Sequence, residues 1–152
     1  MPVQIVEIQP ADLVRYAQVP SAFWVQEILV PEPLDGGLGG IRLRPEPVST
    51  PYLKDYDAYG EGRPIDWPQE FDVRHWGFSL ALEGDRPVGA AAVAWKTPGV
   101  HMLAGRDDMA VLWDIRVHPD RWGQGVGRQL FWHAARWSHR QGARLLKIET
   151  QN

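Results

Sequence analysis

A strand, a glycine-rich turn and a helix follow one another between residues 109 and 141, and this unit constrains the fold more than any other part of the chain. Met109 to Val117 is an apolar run of strand length. From Val126 apolar residues recur every three or four positions, which predicts a helix to about Gln141, with Gly142 as its stop signal. Three glycines alternate in the turn between strand and helix: Gly123, Gly125 and Gly127.

This turn has the properties of an anion site made from backbone. Glycines let the main chain approach a ligand closely, and the first N–H groups of a helix have no internal partner and lie at its positive end. A phosphate group suits such a place. Two nucleotide motifs are excluded: Arg128 replaces the third glycine of G-x-G-x-x-G, and the Gly-Lys-Ser/Thr of a P-loop is absent. Arg121 and Arg128 add positive charge on either side of the turn.

The turn resembles motif A of the GNAT superfamily of N-acetyltransferases, Arg/Gln-x-x-Gly-x-Gly/Ala, and it follows a strand of the type Asp-Ile-x-Val-His-Pro. Trp122 stands where the family usually has Arg or Gln, so we expect weaker or altered cofactor binding. The resemblance implies acetyl-CoA as co-substrate, with its pyrophosphate on the backbone of the turn. The implied cofactor-binding residues are Ile115, Arg116 and Val117 of the strand, and Trp122, Gly123, Gln124, Gly125, Val126, Gly127 and Arg128.

The resemblance also implies the fold. We expect one α/β domain over residues 1–152, with a mixed, mostly antiparallel sheet flanked by helices and ending after the fifth strand. The residue patterns fit that order. Strands are predicted for 3–8, 75–82, 88–95 and 145–148, with a hairpin turn at Gly84-Asp85 and a short helix from residue 10 or 11 to 18. Residues 23–30 are ambiguous between helix and strand, 31–40 read as a loop, and 41–44 as a short strand.

Two short segments are similar to the streptothricin acetyltransferase group within the superfamily. They are Thr50-Pro51-Tyr52-Leu53-Lys54-Asp55-Tyr56 and Leu146-Lys147-Ile148-Glu149-Thr150-Gln151. The family implies direct attack of an amine on the acetyl thioester, helped by a carboxylate that accepts a proton. Asp114 is the first candidate, because alternation places it opposite Trp113 and Ile115; Glu149 is the second. An ordinary salt bridge remains open as an alternative for either carboxylate.

Residues 45–72 are predicted to form a long loop with short helical pieces, in which carboxylates alternate with aromatic side chains. Asp57, Glu61, Tyr59 and Trp67 belong to this set. Carboxylates and aromatic faces suit a small cationic amine, although a solvated loop has the same composition. The candidate substrate-binding residues are Tyr52, Asp55, Tyr56 and Trp113.

Members of the GNAT superfamily continue past this last strand into a further helix and two strands, and the given sequence stops before them, so either it is truncated or a partner completes the fold. We therefore expect a homo-oligomer, most simply a dimer, that covers Leu145, Leu146 and Ile148. Two other functions stay open. One is a non-catalytic acyl-CoA-binding module, and the other is a protein N-acetyltransferase.

Composition narrows the function further. The chain has no cysteine, which excludes disulfides, thiolate metal sites and a cysteine nucleophile. The five histidines have no metal-ligand spacing, so no metal is expected. A net charge of -3 argues against nucleic acid as a partner. No apolar run has membrane length and no signal-peptide pattern opens the chain, so we expect a cytoplasmic protein without membrane contact.

Overall fold

The structure is a computed structural model that describes residues 2–58 and 62–150. Tyr59 and Glu61 of the predicted acidic loop, and Gln151 of the second similar segment, lie outside these ranges. The described residues form seven strands and three α-helices. In chain order these are β1 (Val3–Ile8), α1 (Leu13–Tyr16), β2 (Ala22–Pro33), β3 (Ile41–Asp55), α2 (Trp67–Glu70), β4 (Gly77–Glu83), β5 (Arg86–Ala94), β6 (Met109–Val117), α3 (Val126–Gln141) and β7 (Leu145–Lys147).

The chain divides into two units. Residues 22–55, with residue 150, form one that consists of the β2–β3 ribbon, and the described residues of 1–21 and 56–149 form the other. The larger unit holds a five-stranded sheet in the order β1-β4-β5-β6-β7. Neighbours are antiparallel except β6 and β7, which are parallel. The predicted mixed, mostly antiparallel sheet flanked by helices is confirmed.

The parallel pair at one end of the sheet is short. β7 pairs with Met109, Ala110 and Val111 of β6, and no described residue pairs with the rest of β6 on that side. The two strands therefore part after Val111, and no strand of the described ranges pairs with the outer edge of residues 112–117. An unpaired strand edge of this kind can accept a ligand with amide groups of its own.

Apolar side chains fill both faces of the sheet. One face carries an aromatic cluster that includes Tyr16, Trp67 and Trp76, and the other packs against α3 through Leu130 and Val126. Gly89 of β5 permits this second contact, because a Cβ atom there would lie 2.8 Å from Leu130 Cδ1 and 3.0 Å from Val126 Cγ1. A glycine in the sheet thus fixes how closely the first turns of α3 approach β5.

The ribbon corrects the predicted loop. Residues 45–55 continue the strand that begins at Ile41, and the ambiguous stretch 23–30 lies within strand β2. Pro45, Pro47 and Pro51 made this segment read as a loop, since proline cannot donate to a ladder. In a two-stranded ribbon each strand has one open edge, where a missing N–H costs no pairing. The loop prediction was therefore wrong for residues 45–55.

Elsewhere the predicted elements are present with small shifts. The described residues of 56–58 and 62–75 contain short helices. The hairpin turn has Gly84 in a left-handed conformation at φ 60°, and Gly142 ends α3 at φ 105°. The first helix begins as a 3-10 turn at Pro10–Asp12 and its α-helical part ends at Tyr16. Within the described ranges, no helix has both the length and the apolar character that a membrane span requires.

Candidate functional site

The glycine-rich turn leads into the N-terminus of α3. Gly123 and Gly125 adopt left-handed conformations, at φ 72° and 83°, which glycine accepts without strain. A Cβ atom built on either residue would meet no atom within 4 Å, so the turn is open on its outer side. Gly125 is the N-cap of α3, and among the described residues no side chain caps the helix. The first N–H groups of α3 are therefore available to an anion.

A cavity of about 290 Å³ lies over this turn, and one of its walls is Val117 at the end of β6. Two arginines line it. Arg121 binds Glu83 through Nη2 at 2.6 Å, an interaction that lowers the pKa of Glu83. Arg128, in the first turn of α3, is exposed and has no ion pair with any side chain in the described ranges. A cation is unfavourable at the positive end of a helix, so an anion bound there would offset the electrostatic repulsion between Arg128 and the helix N-terminus.

Trp122 occupies the position where the family motif has Arg or Gln. Its indole N–H donates a 2.7 Å hydrogen bond to the carbonyl oxygen of Val117, and the residue remains 54% exposed. The side chain thus ties the turn to the end of β6. It supplies no positive charge to the cavity, so backbone N–H groups and Arg128 are the donors that face an anion there.

A β-bulge interrupts β6 beside this edge. Leu112 is opposite Val93 and Asp114 is opposite Ala92, which leaves Trp113 as the extra residue. As a result Trp113 and Asp114 turn to the same face of the sheet. Trp113 packs on the aromatic cluster, with its ring centroid 5.2 Å from that of Phe71.

The bulge changes the expected side of Asp114. Alternation placed Asp114 opposite both Trp113 and Ile115, but Asp114 and Trp113 share a face because the extra residue reverses the pattern. Ile115, one of the implied cofactor-binding residues, is 39% exposed. Asp114 accepts hydrogen bonds on both carboxylate oxygens, from Tyr16 Oη at 2.5 Å and from Arg116 Nη2 at 3.0 Å. The salt bridge that the sequence left open is thus present.

Arg116 lies at the centre of this group, with its side chain 4% exposed. It donates to Asp114 at 2.9 and 3.0 Å, to Asp57 at 2.8 and 3.2 Å, and to the carbonyl oxygen of Val19 at 3.2 Å. Burial alone would lower the pKa of Arg116, but the hydrogen bonds and charge of Asp114, and then the hydrogen bonds to Asp57, raise it above its ordinary value. Burial, followed by the charge of Asp114, raises the pKa of Tyr16 well above its ordinary value.

The other predicted residues are distributed over both units. Tyr52 and Asp55 lie at the end of β3 in the ribbon, whereas Tyr56, which begins a 3-10 helix, and Trp113 belong to the larger unit. Glu149 follows β7, is exposed, and pairs with Lys147 at 3.3 Å. Within the larger unit, Asp57 joins the segment of Tyr56 to β6 through Arg116.

Three participants were missed by sequence reasoning. Tyr16 was given no site role, Asp57 was counted only among the loop carboxylates that could attract a cationic amine, and Arg116 was expected to contribute backbone rather than a buried guanidinium. The sequence does carry one signal for Arg116, since it stands two residues from Asp114 on a strand and the two side chains can share a face. In the described part of the chain, no group of three or more His, Asp or Glu side chains has the geometry of a metal site.

Comparison with known structures shows the fold. A crystal structure of nourseothricin acetyltransferase is similar over 100% of this chain and 75% of its own, with 21% identity and a TM-score of 0.67. A putative streptothricin acetyltransferase from Bacillus anthracis str. Ames, in complex with acetyl coenzyme A, covers 99% of this chain and 76% of its own, with 20% identity and a TM-score of 0.68.

The aminoglycoside acetyltransferase AAC(6')-Iy, bound to a bisubstrate analogue, has 16% identity and a TM-score of 0.58 over 99% of this chain and 81% of its own. A search of curated protein sequences finds no match. The family model described as "Acetyltransferase (GNAT) family" matches residues 42–152, well over half of the chain. With the glycine turn before α3 and the parting of β6 from β7, this match places the chain in the GNAT acetyltransferase family.

Proposed function

We propose that this protein transfers an acetyl group from acetyl-CoA to a primary amine of a small cationic molecule. One observation carries the proposal: the uncapped N-terminus of α3 and Val117, the end of the β6 edge that has no strand partner in the described ranges, line a single cavity. A cofactor that carries phosphate and an amide-containing arm could bind the helix N-terminus with its phosphate and the strand edge with its amides. The name of one structural relative, crystallised with acetyl coenzyme A, supports the same co-substrate.

The residues of this chain fit acetyl-CoA in two parts. The N–H groups of the turn at Gly123, Gly125 and Gly127, with the guanidinium of Arg128, would hold the pyrophosphate. The backbone of residues 115–117 would hold the pantetheine arm and orient the acetyl group, since this edge has no strand partner in the described ranges. When bound, acetyl-CoA supplies an activated acyl group that an amine can attack directly.

Proton transfer is assigned to carboxylates beside the edge. The attacking amine must lose a proton, and Asp114 and Glu149 remain the two candidates. Both oxygens of Asp114 are already occupied by hydrogen bonds from Tyr16 and Arg116, whereas Glu149 is exposed and, among the described residues, pairs with Lys147 at 3.3 Å. This geometry favours Glu149 as proton acceptor and a supporting role for Asp114.

The acceptor is inferred from charge and from the structural relatives. The candidates from the sequence are Asp55 and Tyr52 of the ribbon and, separately, Tyr56 and Trp113 of the larger unit, because carboxylates and aromatic rings are groups that bind an ammonium ion. The relatives' names refer to nourseothricin, streptothricin and aminoglycosides, which supports a small polyamine-like acceptor. We also propose a cytoplasmic location, in keeping with the absence of cysteine.

A homodimer is part of the proposal as well. Leu145, the first residue of β7, and Ile148, which follows the strand, are roughly half exposed. Covering such apolar surface stabilises an assembly by about 25 cal/mol per Å². Light scattering at micromolar concentration measures this directly. A monomer under those conditions would contradict the dimer without affecting the proposed chemistry.

The experiment that tests the function measures free thiol released from acetyl-CoA in the presence of a panel of amines. The panel contains streptothricin-type and aminoglycoside antibiotics, simple polyamines and a lysine-containing peptide. Release that depends on a small cationic amine supports the proposal. Release with the peptide alone would indicate a protein N-acetyltransferase, and tight CoA binding without release would indicate a non-catalytic acyl-CoA-binding module.

A further inference from the structure

The guanidinium of Arg116 forms the most completely bonded buried ion group in the described part of the chain. A guanidinium has five N–H donors, and each donates here to an oxygen of Asp114, of Asp57 or of the Val19 backbone. Lysine has three donors on a single nitrogen and cannot reproduce this set. The arrangement therefore depends on arginine itself and not only on positive charge.

These contacts connect two separate segments of the larger unit to the bulge of β6. Val19 follows α1, Asp57 lies in the 3-10 helix Tyr56–Ala58, and Asp114 is next to the extra residue of the bulge. Tyr16 adds a 2.5 Å hydrogen bond to the same carboxylate, and its ring packs edge-on against Trp67 at 5.3 Å. The side of β6 that faces α1 is thus held by charge-assisted bonds.

The outer edge of β6 differs from this hydrogen-bonded side. From Leu112 to Val117 this edge has no strand partner among the described residues, so only the ladder with β5 on the inner side orients its N–H and C=O groups. A bulge interrupts that ladder at Trp113. The Arg116 group adds a second support at this interruption, because it is attached to the segment at Asp114 and Arg116.

We propose that Arg116 is a positioning residue for acetyl transfer: through Asp114 and Asp57 it holds residues 113–117 of β6 in the conformation whose free edge receives the acyl-bearing arm of the co-substrate. The inference rests on the proposed function for its chemistry. It differs from a purely structural role, because it predicts that a defect in Arg116 affects the carbonyl end of the ligand more than its pyrophosphate.

The test compares Arg116→Lys with a matched control, Arg106→Lys. Arg106 pairs with Asp108 at the same two-residue spacing as Arg116 and Asp114, but on the surface and away from the site. Three readouts are used: hydrogen exchange of the amides of residues 112–117, the dissociation constants of CoA and of the stable ketone 2-oxopropyl-CoA, and the kinetic constants with the best amine. The first two require no turnover.

For Arg116→Lys we expect at least tenfold faster exchange at residues 113–117, with α3 unchanged. The affinity for 2-oxopropyl-CoA should fall at least fivefold while that for CoA changes less than twofold, and kcat should fall at least tenfold with KM for acetyl-CoA within threefold. Tyr16→Phe should change exchange, ligand affinity and kcat in the same directions but by smaller factors. Arg106→Lys should match the wild type. If Arg116→Lys does not fold, Asp57→Asn decides by the same criteria.

Equal losses of affinity for CoA and the ketone, or exchange and kcat at wild-type values, would overturn the inference. A wild-type protein that binds CoA but acetylates no amine would contradict the proposed function instead. In that case the exchange and ligand-affinity readouts still decide the role of Arg116.

Discussion

Trp122 and Val117 are joined by a 2.7 Å hydrogen bond from the indole N–H to the main-chain oxygen. This bond links the glycine turn to the last residue of β6, and therefore links the two parts of the proposed acetyl-CoA site. The position is the one at which the chain departs from the GNAT motif. Where the family has a side chain that could contact phosphate, this protein has an indole that fixes the turn to the end of β6.

Replacing the indole by a ring without a donor tests this bracing. Trp122→Phe should lower the free energy of unfolding by about 0.5–1 kcal/mol, the usual contribution of one solvent-accessible hydrogen bond. CoA affinity should change less than threefold, because the anion donors are backbone groups and Arg128. Denaturant titration and calorimetry measure the two quantities. Trp132→Phe is the control, since Trp132 is similarly exposed on α3 and has no hydrogen bond within the described ranges.

Charge at the turn is tested by an isosteric pair, Gly125→Asp and Gly125→Asn. Both residues tolerate the left-handed conformation better than other side chains, and a Cβ atom there meets nothing within 4 Å. Both variants should therefore fold. The aspartate places a negative charge beside the phosphates, so CoA affinity should fall at least a hundredfold for Gly125→Asp and far less for Gly125→Asn. Equal affinity in the two variants would refute the assignment of the pyrophosphate site.

Arg128 should show opposite effects on stability and binding. Arg128→Gln removes a cation from the positive end of α3, which should raise the free energy of unfolding by up to about 0.5 kcal/mol in the absence of ligand. The same change removes a charged phosphate donor, so CoA affinity should fall about tenfold. Arg136→Gln, two turns further along α3, is the matched control. If CoA binds both variants equally well, Arg128 has no part in the site.

The general base is tested by the pH dependence of the rate. If Glu149 accepts the proton, Glu149→Gln should remove the acidic limb of the kcat/KM profile and lower the rate by about 10²–10⁴-fold. Asp114→Asn should lower kcat but leave the limb in place. A limb that disappears in Asp114→Asn and persists in Glu149→Gln would restore Asp114 as the base.

Sequence patterns correctly predicted the helices, strands and turns that depend on residues close together in the chain. The strand, turn and helix from Met109 to Gln141 follow from apolar periodicity, from Gly125 and from Gly142, and all lie where the sequence placed them. The hairpin between β4 and β5 follows in the same way from Gly84 and Asp85.

The features that sequence reasoning missed depend on tertiary contacts. The residues near Trp113 give no sequence signal for a bulge, because the extra residue is defined only by the pairing of its neighbours with Ala92 and Val93. Tyr16 is 98 residues from Asp114 and sits on a helix of four residues, too short for a pattern. The prolines of β3 follow the rule for open strand edges, which is visible only once the ribbon is known.

His133 on α3 should make stability depend on pH. Its Nε2 atom is buried, has no hydrogen-bond partner in the described ranges, and lies 3.6 Å from Glu7 Oε1. Burial lowers the pKa of His133; Glu7 opposes this shift, and Arg140 and Arg136 add to it. In the unfolded chain the pKa is near 6.5. Between the two pKa values the unfolded state binds more protons, so stability must fall as pH falls below about 6.5.

Thermal unfolding between pH 7.5 and 5 should therefore show a decline in Tm that is smaller in His133→Gln than in the wild type. His139→Gln serves as the control, because His139 is exposed on the same helix and is not in contact with Glu7. This variant should keep the wild-type slope. A steeper slope in His133→Gln would mean that Glu7 outweighs burial, so that protonation of His133 stabilises the fold and the sign of the pKa shift is reversed.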